Sequence, residues 1–158
     1  MRKMWRKIFP TAALTFMLCL LGMALAGAYD RADMDKLRQT NACPGCNLSR
    51  TNLHKAELSG AELPGTNLSR ANLHKADLSG ADLSGADLSR SNLHKANLAK
   101  ANLHGADLEA ANLYGADLVE ANLSEAKLDG TNLAQADLSG ATWTDGRTCA
   151  QGSIGECR

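Results

Sequence analysis

Aromatic side chains are scarce: the chain has two Phe, two Tyr and two Trp in 158 residues. That is too few for the layered core of an ordinary domain of this length, so something other than aromatic packing must hold it together. Neither sign of charge is in excess, with 17 basic and 17 acidic side chains. Net charge therefore points to no general polyanion-binding protein. Acids are missing altogether from the first 29 residues. There Arg2, Lys3, Arg6 and Lys7 precede an apolar run from Ile8 to Ala26 that ends in Ala24-Leu25-Ala26. Such a charged start, apolar middle and small-residue end is the pattern of a secretory signal peptide, expected to span residues 1–26. The run approaches the length of a membrane-spanning helix, so an uncleaved inner-membrane anchor is the rival, but Pro10 and the Ala-x-Ala end favour cleavage. Leu18 before Cys19 is not the small residue that precedes a lipidated cysteine.

Cleavage leaves 13 basic and 17 acidic side chains, a formal charge of −4, and four cysteines, Cys43, Cys46, Cys149 and Cys157. In the periplasm or outside the cell, where disulfides persist, an even number of cysteines suits two bridges.

What the chain has in abundance is Leu, Ala, Asn, Asp, Ser and Gly in a fixed order. Read in fives from Cys46 it runs CNLSR, TNLHK, AELSG, AELPG, TNLSR, ANLHK, ADLSG and onward to ADLSG at Ala136–Gly140. Leu fills the third place of every unit from Leu48 to Leu138, and the place two before it holds Ala, Thr, Ser or Cys. A last unit, Ala141–Asp145, puts Trp143 in the Leu place. A helix turns about 100° per residue and would scatter positions five apart around its axis. A flat strand would send successive Leu residues to opposite faces, because five is odd. A chain that turns a corner every five residues keeps them all inside, with the small residue also inward and the other three places outward. A second period of twenty, seen where Thr51–Arg70 is echoed by Ala71–Arg90 and then Ser91–Ala110, sets four sides to a coil. At ~4.8 Å per coil, about five coils make a rod about 24 Å long whose stability is roughly a sum of neighbour terms. Leu48, in a first coil with one coil neighbour, is expected to contribute less than Leu93. Gly60, Gly65, Gly80, Gly85, Gly105, Gly115, Gly130 and Gly140 fall at the last place of their units, where a corner can require positive φ.

This A(D/N)Lxx pattern over Cys46–Asp145 resembles the pentapeptide-repeat family. The resemblance implies an all-β solenoid, the right-handed quadrilateral β-helix. It also implies that many members are protein-binding rods and some are nucleic-acid mimics, and it implies no activity. The flanks, CPGC before the first unit and DGRTCAQGSIGEC after the last, are similar to those of exported bacterial members.

Open coils expose unpaired edges at both ends, which invite end-to-end association unless covered. Residues 27–45 are expected to form an N-terminal cap, with a short helix over Asp30–Arg38, capped by Asp30 and packing Met34 and Leu37 on the first coil. Residues 146–158 form the C-terminal cap after the 46–145 repeat. Cys43 and Cys46 flank the Pro44-Gly45 turn and are expected to bridge locally, and Cys149 to Cys157, because the two ends lie about 24 Å apart and bridged Cα atoms lie within about 7 Å. The CxxC spacing also serves thiol exchange and metal binding. No βαβ pattern surrounds it, Asn47 stands where haem attachment needs His, and the other cysteines are too distant to complete a zinc site.

The register places Arg50, Arg70 and Arg90 in one column, His54, His74 and His94 in another and Lys55, Lys75 and Lys95 in a third, with Asn52, Asn72 and Asn92 between. One side of the first three coils is thus basic, while beyond Ala101 only Lys127 opposes eight acids up to Asp145. The face is either a docking surface for an acidic partner or a by-product of duplicating a twenty-residue unit. Stacked imidazoles are too widely spaced to share one zinc, and no nucleophile, base and orienter come together. The expectation is a non-enzymatic, cofactor-free binding or scaffold module in the periplasm or outside the cell. Its partner is an unknown protein or an anionic envelope component, nucleic acid is not expected, and a homodimer is left open. The alternatives are a nucleic-acid mimic that binds a topoisomerase and a thiol-redox protein using Cys43 and Cys46.

Overall fold

The computed structural model describes residues 29–158; the expected signal peptide at 1–26 lies outside the described residues. A single helix, α1 (Arg31–Thr40), opens the described chain. The Asp30 side chain accepts the Ala32 N–H at 2.8 Å, and Asn41 in the left-handed region (φ 53) ends the helix with its N–H on the Leu37 carbonyl. Met34 and Leu37, three apart, are its buried residues.

From there the chain coils. Parallel bridges join each residue in the second place of a unit to the one twenty later, from Ala42 with Glu62 to Asn122 with Thr142. Twenty residues in units of five make four sides, the quadrilateral β-helix. The pairing is regular at atomic level: the Leu N–H donates to the next coil, as Leu73 to the Asn92 carbonyl at 2.8 Å, and the second-place N–H donates to the previous one, as Asn72 to the Thr51 carbonyl at 2.9 Å. Each corner closes with the Leu carbonyl accepting the N–H three residues on, as Leu73 from Ala76 at 2.9 Å. The third residue of each such turn has positive φ, the signature of a type II turn.

That requirement does not depend on glycine. Gly80 and Gly85 have φ of 64° and 62°, but Arg70, Lys75, Arg90 and Lys95 hold φ of 54–59° at the same place. A side chain in this region costs roughly 1–2 kcal/mol, so the fold imposes the conformation and the non-glycine corners bear the strain.

The interior is a column of Leu on each side. Leu63 to Leu123 have no accessible surface in an unbroken series, and the small residues beside them are equally covered. Where a hydroxyl replaces Ala it turns back on the backbone: Thr51 Oγ1 donates to the Leu48 carbonyl at 2.7 Å, Ser91 to Leu88 at 2.6 Å and Thr66 to Cys43 at 2.6 Å. Among the described residues no buried side-chain polar atom lacks a partner.

The second place explains the Asn/Asp preference. In these units the side-chain Oδ1 accepts the backbone N–H two residues on, as Asn72 from His74 at 3.3 Å, Asp82 from Ser84 at 3.0 Å and Asp107 from Glu109 at 3.0 Å. Glu57 and Glu62, one methylene longer, make no such bond.

Both ends depart from the regular stack. Coil pairing starts earlier than a count from Cys46 suggests: Asn41–Gly45 is already a side, with Cys43 N–H on the Glu62 carbonyl at 2.8 Å and Gly45 N–H on Pro64 at 2.9 Å. Cys43 stands in its Leu place. Helix α1 then covers the side that begins at Cys46, where the Asp33 carboxylate accepts the Asn47 N–H at 2.8 Å and Asp30 N–H reaches the Asn47 carbonyl at 3.0 Å. Leu48, which has a coil neighbour on one side and the helix on the other, is therefore completely buried. Leu53 and Leu58, farther under the helix, keep 7% and 5% exposure and border a groove of about 430 Å³ with Met34, Leu37, Arg38 and His54. At the other end the chain reverses at Asp145-Gly146, and residues 148–154 run antiparallel over Thr142 and Asp137. Leu128 and Leu133, on the two sides this return does not cover, are only partly buried.

Candidate functional site

The four cysteines form two bonds, Cys43 to Cys46 and Cys149 to Cys157. Cys43 and Cys46 occupy successive inward places, Leu-type then Ala-type, which brings their Cα atoms to 5.4 Å. The bridge is buried, at 0% and 6% exposure, which keeps an attacking thiolate from reaching its sulfurs. Asp33 lies close enough to make a metal-like group with these sulfurs, within 4.8 Å, but both sulfurs are engaged in the bond.

The side made by the units at Thr51, Ala71, Ser91, Ala111 and Thr131, hereafter the second side, differs from the rest. Its second place is Asn in every coil. Asn72 Nδ2 donates to Asn52 Oδ1 at 3.1 Å, Asn92 to Asn72 at 3.3 Å and Asn132 to Asn112 at 3.2 Å. Amides suit this column because each both donates and accepts, whereas five stacked carboxylates could only accept and would repel.

Beside the amides, the rings of His54, His74, His94 and Tyr114 stack. Centroids lie 5.1, 4.9 and 5.3 Å apart, with interplanar angles of 5°, 29° and 7°. The column of three imidazoles expected from the register is present, with two additions. His74 and His94 are half-buried by each other's faces, and Tyr114 is the fourth member. The signal for Tyr114 was present, since it stands twenty residues after His94. Stacking hides the ring faces and leaves the edges, with their nitrogens, toward solvent. Desolvation within the stack is the largest cause holding His74 below the ordinary imidazole value; the charges of His94, His54 and Lys75 add to it against a hydrogen bond to the His94 backbone.

Arg50, Arg70 and Arg90 bound this side at one corner and Lys55, Lys75 and Lys95 at the other. Their backbone holds register, with Arg70 N–H on the Ser89 carbonyl at 2.9 Å and Lys75 N–H on His94 at 3.0 Å. None of these six enters an ion pair among the described residues, whereas Lys100 meets Glu120 at 3.7 Å and Lys127 meets Asp107 at 3.6 Å. All six are exposed. Second-place aspartates elsewhere are engaged: hydrogen bonds from the Ser139 hydroxyl and N–H hold Asp137 below the ordinary carboxylate value. At Asp82, burial pushes the pKa up and is outweighed by the Ser84 hydroxyl, the Ser84 N–H and Asn102.

The family model described as pentapeptide repeats matches in eight copies over residues 46–85, 76–115 and 106–142. No curated protein matches the chain. Among solved structures, HetL, a pentapeptide repeat protein involved in heterocyst differentiation regulation in the cyanobacterium Nostoc, is 38% identical over 68% of this chain, with a TM-score of 0.44. The match spans 53% of HetL, about half its length. A second pentapeptide repeat protein of Nostoc is 33% identical, over 70% of this chain and 81% of its own, with a TM-score of 0.47. A pentapeptide repeat protein of the Arabidopsis thaliana thylakoid lumen is 25% identical, over 74% of this chain and 84% of its own, with a TM-score of 0.50.

Proposed function

Because the chain belongs to the pentapeptide-repeat family, we propose that it is a non-catalytic binding rod of about five coils, exported by residues 1–26 to the periplasm or beyond. One observation carries the binding reading: six cations bound the second side and enter no ion pair among the described residues. The interior is filled with Leu, so the faces are where this chain can act. Export is supported by the apolar run behind four basic residues and by the two cysteine pairs, which suit an oxidising compartment. The relative from the thylakoid lumen is likewise a protein of a compartment reached across a membrane.

Cell fractionation with mass analysis of the N-terminus tests the export half. The expected result is a chain beginning after Ala26 in the periplasm or the medium. A full-length chain in the cytosol overturns it and brings forward the topoisomerase-binding alternative, which an exported protein could not serve.

A further inference from the structure

The exposed charges of this chain divide by what they do. Second-place aspartates hold corners together through Oδ1, as Asp87 does for the Ser89 N–H at 2.9 Å and its hydroxyl at 2.6 Å, while Glu57 and Glu62 do not. Stacked acids such as Asp87 over Asp107 thus serve the fold despite their repulsion. The six cations do nothing comparable. No side-chain hydrogen bond or ion pair of Arg50, Arg70, Arg90, Lys55, Lys75 or Lys95 exists among the described residues, and each occupies a positive-φ corner. In the same coils the corners of the other two sides are Gly60, Gly65, Gly80, Gly85 and Gly105, with Lys100 the exception. Strain and like-charge repulsion therefore coincide at the two corners that bound the second side.

We propose that the second side with its two cationic corners is a binding face for a linear polyuronate, a polysaccharide with one carboxylate per sugar, lying along the rod axis. The inference rests on the reading of the chain as a binding rod and names its ligand. Three features select that chemistry. First, the same Arg, Asn, His and Lys set recurs in three successive coils, so the face offers three equivalent subsites in a line. A polymer of one repeated unit meets all three alike, and an acidic protein surface does not. Second, ring centroids measure the subsite spacing at 5.1 and 4.9 Å, close to the rise of an extended 1,4-linked pyranose chain. Third, the groups offered are guanidinium forks and ammonium donors for carboxylates, with imidazole edges for hydroxyls. The ring faces that would stack nucleobases are covered by one another except at the two ends of the column, His54 and Tyr114. The face also has an end: the next coil replaces the cations with Ala110 and Gly115 and sets Glu109 at the border, so about three sugars are held.

Titration of the purified chain with β-1,4-linked mannuronate oligomers of increasing length, read by calorimetry at low salt, tests this. Affinity should climb up to about three sugars and then flatten, and should fall as salt rises. The triple replacement Arg70→Ser, Lys75→Ser and Arg90→Ser should weaken binding roughly tenfold or more. Lys100→Ser, on another corner, should leave it unchanged. These places point outward, so circular dichroism of both variants should match the parent. Binding that ignores oligomer length, or survives the triple replacement, overturns the proposal. So does equal or tighter binding of single-stranded DNA, or binding to anionic vesicles without binding to free oligomer. If no oligomer binds but an envelope protein is captured by the parent and lost by the triple variant, the polyuronate is wrong and the binding rod stands. If neither binds, both readings fall.

Discussion

Leu93 and Leu113 occupy the same place on the second side one coil apart, and both are completely buried. Their outward surroundings differ. Around Leu93 stand Arg90, His94 and Lys95; around Leu113 stand Ala110, Tyr114 and Gly115. Farther along, cations that do occur find acids in the neighbouring coil, as Lys100 finds Glu120 and Lys127 finds Asp107. The earlier coils stack cations in columns on the second side, and the later ones carry the two inter-coil ion pairs on other sides, on one and the same interior. The lesson is that the fold is decided inside and at the corners, which frees the outward places for other uses.

If the interior is common to both regions, truncating it should cost the same in each. Leu93→Ala and Leu113→Ala are each expected to lose about 2–5 kcal/mol through a cavity between coils, and to agree within about 1 kcal/mol. Leu133→Ala, half-covered at the end of the stack, should lose less than about 2 kcal/mol. Urea midpoints and slopes give these values. A large disparity between Leu93 and Leu113 would break the comparison by showing that exterior charge reaches the core.

Corner residues should separate the two regions next. Arg90→Gly is expected to stabilise by about 1 kcal/mol, because it relieves a φ of 57° and a column of like charges. Lys100→Gly relieves a similar φ of 61° but gives up the exposed pair with Glu120, a few tenths of a kcal/mol, so its gain should be smaller. Equal gains would mean that the opposite-charge stacking contributes nothing.

Much of this was legible in the sequence because two periods, five and twenty, specify both which residues face inward and which stack. The helix begins and ends with recognisable caps at Asp30 and Asn41, and the columns of Arg, His and Lys follow from counting. What escaped has physical reasons. The side at Asn41–Gly45 was hidden because a disulfide cysteine stands where the pattern shows Leu. Reading the register backward through Cys43 and Gly45 would have found it. That the helix covers the first coil was readable from Met34 and Leu37, but its landing on the side at Cys46 through Asp33 is not encoded in the periodicity. The role of Asn and Asp as acceptors for the N–H two residues on shows itself only in the turn geometry, although the refusal of Glu57 and Glu62 to fit the A(D/N)Lxx form was a trace of it.

The smallest expected effect is a pH response confined to the ring column. His74 has its pKa lowered in the folded chain, so folding favours the neutral ring. The associated stability is fully present above the ordinary value of 6.5 and is lost as pH falls through the depressed one. Acidification across that range should lower the urea midpoint of the parent slightly more than that of His74→Gln. Asp82 and Asp137, also depressed, respond lower: their contribution is present above the ordinary carboxylate value of 3.8 and is lost as pH falls through the folded one. The two steps are therefore separable in one titration, and a His74→Gln protein with an unchanged upper step would detach the effect from the stack.

The strict pairing of each residue with the one twenty later has a consequence for how such a chain can change length over evolutionary time. Gain or loss of one whole turn alters only the height of the rod, and every column keeps its members. Gain or loss of a single unit of five leaves all inward places satisfied, since Leu still follows Leu, but rotates everything beyond it by a quarter turn. The amides at Asn112 and Asn132 would then continue another column, and the one above His94 would inherit whatever the adjoining face carried. Duplication in quarters is tolerated by the core and scrambles the surface, so a surface that keeps the same four residue types in line through three coils records growth by whole turns.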